Sequence, residues 1–170
     1  MGTVTAMSDE ALADLIADLT QRGLTVATAE SLTGGGLVAR LVDVPGASHV
    51  VRGGACTYAV DTKASVLGVS ERQLALTGPV DEQVARQMAR GARTLFRADI
   101  GVSTTGVAGP GPADGFPAGT VHIACAHPAG EAHRLVHLEG DRAAVRRGAI
   151  DAAIALVRDV LDFAGVQAGD

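Results

Sequence analysis

The chain is predicted to fold as an α/β sandwich around a mixed, mainly parallel sheet, and three features of its 170 residues lead there. Apolar residues switch repeatedly between helical and strand-like spacing through the first hundred positions. Two later strand-like runs meet at a tight Pro128-Ala129-Gly130 turn, a hairpin that adds antiparallel pairing to an otherwise alternating pattern. A long helical stripe then closes the chain. No repeat or linker interrupts it, so residues 1–170 read as a single domain with its core in about 8–163.

Each element has its own signature. Leu12, Leu15, Ile16 and Leu19 recur at helical spacing, with Ser8 as N-cap and Gly23 as the stop. Leu24 to Ala29 reads as a short strand. Gly35 to Val42 is helical and is closed by the Asp43-Val44-Pro45-Gly46 break. His49 to Tyr58 is strand-like, with Gly53 and Gly54 marking a bulge or a close backbone approach. Asp61 is read as the cap of a short helix carrying Thr62, Lys63, Val66 and Leu67, stopped by Gly68. A Ser70-capped turn leads to Gly78-Pro79, and Asp81 opens a helix through Val84, Met88 and Leu95. Ile100 to Thr105 is a strand, followed by a Gly- and Pro-rich loop from Gly106 to Gly119. Thr120 to Ala126 and His133 to Leu138 form the hairpin. Asp141 caps the last helix, whose stripe holds Val145, Ala149, Ile150, Ile154, Val157 and Leu161.

Composition excludes several classes of function. Apolar residues make up 47% and charged residues 19%, too apolar a balance for intrinsic disorder. Aromatics are only 2%, so aliphatic side chains must fill the core. A net charge of -5 argues against nucleic acid as a partner. No apolar run reaches the roughly 18 residues of a membrane span. Met1 to Asp9 lacks the cationic-then-apolar order of a secretory signal. Cys56 and Cys125 both fall in apolar strand-like runs and read as buried thiols of a reducing cytoplasm. His122, His127, His133 and His137 are the candidate metal ligands, but His133 and His137, which share a strand face, stand too far apart to chelate easily, and no Cys or carboxylate cluster joins the four, so no metal is expected.

The chemistry is carried by Lys63, the only lysine beside thirteen arginines. Arg stays protonated at any working pH, whereas a desolvated Lys can become a neutral amine and act as a base. Near the first turn of a helix, the dipole also disfavours the cation. To act as a base near pH 7 its pKa must fall from about 10.4 by roughly 2–3 units, a cost of about 3–4 kcal/mol. Ser31, in Ala29-Glu30-Ser31-Leu32-Thr33-Gly34-Gly35, is the matching nucleophile on a strand-to-helix turn. The bland alternatives are a solvated surface lysine and a capping serine. The helix start after Ser31 offers backbone N–H groups around Thr33, Gly34 and Gly35 for an anion or oxyanion. The loop from Thr105 and Gly106 lies where α/β folds bind ligands. Arg142, Arg146 and Arg147 oppose the dipole of the last helix and suggest an anionic partner such as phosphate, or else a solvated charged face.

Four motifs occur here in the order seen in the CinA C-terminal domain family. They are Ala29-Glu30-Ser31-Leu32-Thr33-Gly34-Gly35, Gly53-Gly54 with Tyr58 and Lys63, Ser103-Thr104-Thr105-Gly106-Val107-Ala108-Gly109-Pro110, and Gly140-Asp141-Arg142 with Arg146-Arg147. The chain resembles that family over about residues 8–163. The resemblance implies a three-layer α/β/α domain. It also implies an amidase that converts nicotinamide mononucleotide to nicotinate mononucleotide and ammonia without a cofactor or metal. It places Ser31 and Lys63 as the catalytic pair with Tyr58 beside them, Thr105 in the pocket, and Arg142 or Arg146 on the phosphate. The family's Lys-Pro-Val-Gly-Thr stretch is replaced here by Phe116-Pro117-Ala118-Gly119-Thr120. The expected partner is a small pyridine nucleotide, and the Ala-rich apolar chain suggests a homo-oligomer. The competing reading is a non-catalytic nucleotide-binding accessory protein of the competence/DNA-damage type, for which neither a nucleophile nor a deprotonatable amine is needed.

Overall fold

The computed structural model describes residues 6–163. In chain order the elements are α1 (Asp9–Arg22), β1 (Val26–Glu30), α2 (Gly36–Val42), β2 (Val51–Cys56), α3 (Val60–Leu67), α4 (Glu71–Thr77), α5 (Glu82–Phe96), β3 (Ile100–Gly106), β4 (Thr120–His127), β5 (Gly130–His137) and α6 (Arg142–Phe163). The five strands form one sheet in the order β2-β1-β3-β4-β5. β1 runs parallel to both β2 and β3, while β4 is antiparallel to β3 and β5. Four strands therefore point one way and β4 opposes them, as a mixed, mainly parallel sheet requires.

Helices cover both faces. The larger core joins α1, α2 and α6 to one side of the sheet through Leu12, Leu19, Leu37, Ile123, Ala153 and Val157. Ala27 and Ala29 turn to the other side, against Leu67, Val84, Met88 and Ala92 of α3 and α5. With so few aromatics, close approach has to replace side-chain bulk. At Gly54 a Cβ would collide with Thr28 Oγ1 and press on Val38, which is why the strand carries glycine there. The register between β1 and β2 slips beside Gly53, the irregularity that the paired glycines announce.

Local chemistry explains most boundaries. Ser8 Oγ accepts from Ala11 N at 3.1 Å, and Gly23, left-handed at φ 66°, ends α1. The backbone N–H of Leu24 returns to the Leu19 carbonyl, so β1 begins at Val26 and not at Leu24. Ala59, not Asp61, occupies the N-cap of α3; Asp61 sits inside the first turn. Glu71 to Thr77, expected as a turn, is a helix capped by Ser70. Its apolar residues are too few for the period to register. Leu95 lies on the outer face of α5 at 47% exposure, so the stripe there runs through Val84, Ala85, Met88, Ala89 and Ala92. Cys125 is buried, as expected, but Cys56 is exposed because β2 is the sheet edge.

Candidate active site

The order β2-β1-β3 puts strands on both sides of β1, so the chain leaves β1 toward β2 and later returns on the opposite flank. Ligand sites of open α/β sheets form outside the carboxyl ends of the strands at such a switch. Here a cleft of about 260 Å³ opens at that point. Ser31 and Leu32 enter it from the end of β1, Lys63 and Val60 from α3, Thr105 and Gly106 from β3, and Arg142 from the start of α6.

Lys63 is completely buried. Its Nζ lies 3.1 Å from Ser31 Oγ and donates to the Thr57 carbonyl at 2.5 Å. Neither partner carries charge, and Asp61 is not among its contacts. Burial pushes the amine down from 10.5 to about 8, while the more distant Asp114 carboxylate pulls weakly the other way. A neutral amine fits this geometry: one N–H serves Thr57, and the lone pair faces the serine hydroxyl. Ser31 is itself pinned, since its N–H donates to the Thr104 carbonyl at 3.0 Å. The pair that residue type alone singled out is brought within hydrogen-bonding distance across 32 residues of sequence.

The helix start beyond Ser31 is put to a different use than expected. Glu30, fully buried, turns its carboxylate into the first turn of α2. Oε2 accepts from Thr33 Oγ1 at 2.7 Å, Gly35 N at 2.9 Å and Leu37 N at 3.0 Å. Oε1 accepts from Thr28 Oγ1 at 3.0 Å and Val38 N at 2.8 Å. Gly34 N–H goes back to the Ser31 carbonyl. The dipole end that Thr33, Gly34 and Gly35 were expected to offer a ligand is thus filled by the chain's own anion, and none of the three lines the cleft. Glu30 escaped the sequence reading, although a lone acid at the end of the uncharged run Val26-Ala27-Thr28-Ala29 is the signal that could have exposed it.

The two arginines separate in the same way. Arg142 borders the cleft, donating to the Gly109 carbonyl at 2.6 Å and to Tyr58 Oη at 3.0 Å. Arg146 points elsewhere: its Nε donates to the Leu32 carbonyl at 3.0 Å and one Nη to Thr33 at 2.9 Å. It does not line the cleft, and its geometry is that of a clamp on the serine turn. Tyr58 is 61% exposed at the rim, with its hydroxyl on Arg142 and no bond to Ser31 or Lys63. Thr105 is buried and donates its hydroxyl to the Pro79 carbonyl at 2.7 Å, which ties the β3 end to the α4–α5 connection.

The histidines that meet are His122 and His133, from neighbouring strands, with Nδ1 and Nε2 3.0 Å apart and rings stacked at 5.2 Å. Burial lowers both below the usual imidazole range. No group of three or more potential ligands gathers among the described residues.

Residues 9–161 match the CinA C-terminal domain family, and the chain belongs to it. A CinA-like protein of Frankia casuarinae is 50% identical over 143 residues, 84% of this chain and 33% of that protein. The chain thus spans about a third of the length of the curated relatives it matches. A solved structure of a competence/damage inducible protein from Agrobacterium tumefaciens superimposes with a TM-score of 0.87 at 35% identity, covering 95% of this chain and 99% of that one. A CinA superfamily protein from Escherichia coli gives 0.86 at 32% identity, with 93% and 95% covered. No helix among the described residues is long and apolar enough to cross a membrane.

Proposed function

We propose that this CinA-family domain is an amidase that hydrolyses the carboxamide of nicotinamide mononucleotide to nicotinate mononucleotide and ammonia. The observation that carries the reading is the buried Lys63 amine, held 3.1 Å from Ser31 Oγ with its proton affinity lowered to about 8. Ser31 attacks the carboxamide carbon as Lys63 takes the hydroxyl proton. The tetrahedral intermediate collapses as that proton passes to the departing ammonia. Water, deprotonated by the same amine, then attacks the acyl-serine ester; the C–Oγ bond breaks, the amine returns the proton to Ser31 Oγ, and the product leaves as the carboxylate. Leu32, which lines the cleft beside Ser31, donates its backbone N–H to no acceptor among the described residues, so this N–H is the donor proposed for the oxyanion.

Ammonia release from nicotinamide mononucleotide by the purified protein tests the reading directly. Ser31→Ala should lower it by at least about a thousandfold while leaving nucleotide affinity near wild type. If the variant retained a tenth of wild-type turnover, the serine would not be the nucleophile. Absence of ammonia from the wild type would favour the accessory-protein reading, to which the competence/damage name of the Agrobacterium relative points.

The arginines separate binding from chemistry. Arg142 is proposed to hold the phosphate, remote from the reacting carbon. Arg142→Ala should therefore raise KM about ten- to a hundredfold with little change in kcat, and should not affect the nucleoside lacking phosphate. Arg146→Ala should instead depress kcat on both substrates, because its loss frees the turn that positions Ser31. Equal effects of the two changes on both substrates would refute this division.

A further inference from the structure

The rim of the cleft carries a charge that the reaction just described leaves unused. Among the residues that line the cleft, Asp114 supplies the only carboxylate; Lys63 and Arg142 are the other groups of formal charge. Asp114 forms no hydrogen bond or ion pair among the described residues, in contrast to Arg142, which is tied to Gly109 and Tyr58. Its placement is set by backbone geometry. Ala113 and Phe116 exchange two backbone hydrogen bonds, at 3.0 and 2.9 Å, around Asp114 and Gly115. Both central residues have positive φ, 52° and 82°, the pattern of a two-residue primed turn that Asp-Gly adopts readily. A short, doubly bonded turn presents the carboxylate with little freedom of the chain beneath it.

A carboxylate on one wall and a guanidinium on another fit a ligand that carries both signs. The ring nitrogen of a nicotinamide nucleotide is a pyridinium cation, and its phosphate is an anion. We propose that Asp114 is a specificity-determining residue that selects a cationic pyridinium ring over an uncharged ring of the same shape. This inference rests on the nucleotide reading above and extends it. The field of Asp114 already reaches the interior, since it opposes the fall in Lys63 basicity that burial produces. At a partly solvated rim, such a charge contact favours the cationic ring by roughly tenfold.

The probes are nicotinamide mononucleotide and its dihydro form, which keeps the carboxamide, ribose and phosphate but has a neutral ring. Affinities are measured by calorimetry in the Ser31→Ala background, where turnover cannot distort them. The expected preference is about tenfold for the cationic ring. Adding Asp114→Asn, a residue that tolerates the same positive φ, should erase the preference while leaving affinity for the dihydro form unchanged. Asp114→Glu should restore part of it. In the otherwise wild-type enzyme, Asp114→Asn should also move the rising limb of kcat/KM to lower pH, because Lys63 loses a neighbouring anion. An unchanged preference in Asp114→Asn, or equal losses on both probes, would overturn the inference, as would failure of the cationic nucleotide to bind. Because the binding ratio needs no ammonia release, an inactive protein that still prefers the cationic ring would refute the amidase and keep the role of Asp114. Ammonia release without ring preference would do the reverse.

Discussion

Lys63→Arg is expected to abolish ammonia release, and Lys63→Met to abolish it while making the protein more stable at pH 7. The first result follows from chemistry. A guanidinium cannot give up its proton near neutrality, so an arginine cannot serve as base even where it fits. The second follows from burial. The Lys63 amine is held at about 8 in the fold against 10.5 as a free side chain, so near neutrality the fold carries the cost of a desolvated cation. That cost is about 3 kcal/mol at 1.36 per unit, offset in part by the bond to Thr57. Removing it with an apolar side chain of similar length should raise stability by about 2 kcal/mol, some 4–8 °C in Tm for a chain of this size. The pH dependence separates this effect from better packing. Between about 8 and 10.5 the unfolded chain binds the proton that the fold has released, so wild-type stability rises with pH across that window. The methionine variant has nothing to titrate there, and its advantage should shrink. In the wild type, kcat/KM should climb about tenfold per pH unit up to an apparent pKa near 8 and then level off. A fully active Lys63→Arg enzyme would overturn the Ser–Lys mechanism, whatever the Tm values.

How far the site could be read in advance depended on whether its logic was one of residue type or of distance. Ser31 and Lys63 were legible because they are chemical exceptions: a lone lysine in an arginine-rich chain, and a serine at a strand-to-helix turn. Neither inference needed coordinates. The alternation of elements was legible for a similar reason, since Gly23, Gly68, Asp81 and Asp141 punctuate the chain through local backbone chemistry. What escaped was set by partners far along the chain. Arg142 and Arg146 are one helical turn apart and look equivalent, yet one reaches Tyr58 and the other Leu32 and Thr33. Cys56 looked buried because its neighbours are small and apolar, but β2 is an edge strand, and strand order is not written in any local window. The histidine pair fell to the same limit: His122 and His133 meet through the β4–β5 register. Asp114 became meaningful only once its turn was seen to border the cleft that contains Lys63.

Glu30→Gln is expected to cost about 2–4 kcal/mol, a fall of roughly 6–12 °C in Tm, although the change preserves volume and lies outside the cleft. The carboxylate accepts five hydrogen bonds, three from backbone N–H groups of the α2 turn and two from threonine hydroxyls. The hydroxyls can rotate to accept from an amide; the N–H groups cannot. The less damaging orientation places the amide nitrogen at the Oε1 position, where it faces Val38 N–H and leaves one buried donor pair opposed. The other orientation opposes both Gly35 and Leu37. Either way the new side chain loses the charge that satisfied the helix dipole. Because Thr33 bridges Glu30 to Thr104, and the Ser31 N–H also binds Thr104, disorder at this carboxylate should spread to the nucleophile. The variant should therefore lose kcat on nicotinamide mononucleotide along with its stability, whereas Lys63→Met should lose activity as stability rises. Thermal unfolding and steady-state kinetics on the two variants distinguish these roles. A Glu30→Gln protein that melted within about 1 °C of wild type would show that the carboxylate does not hold the turn, and that Ser31 is positioned by the β1–β3 ladder and the Arg146 clamp alone.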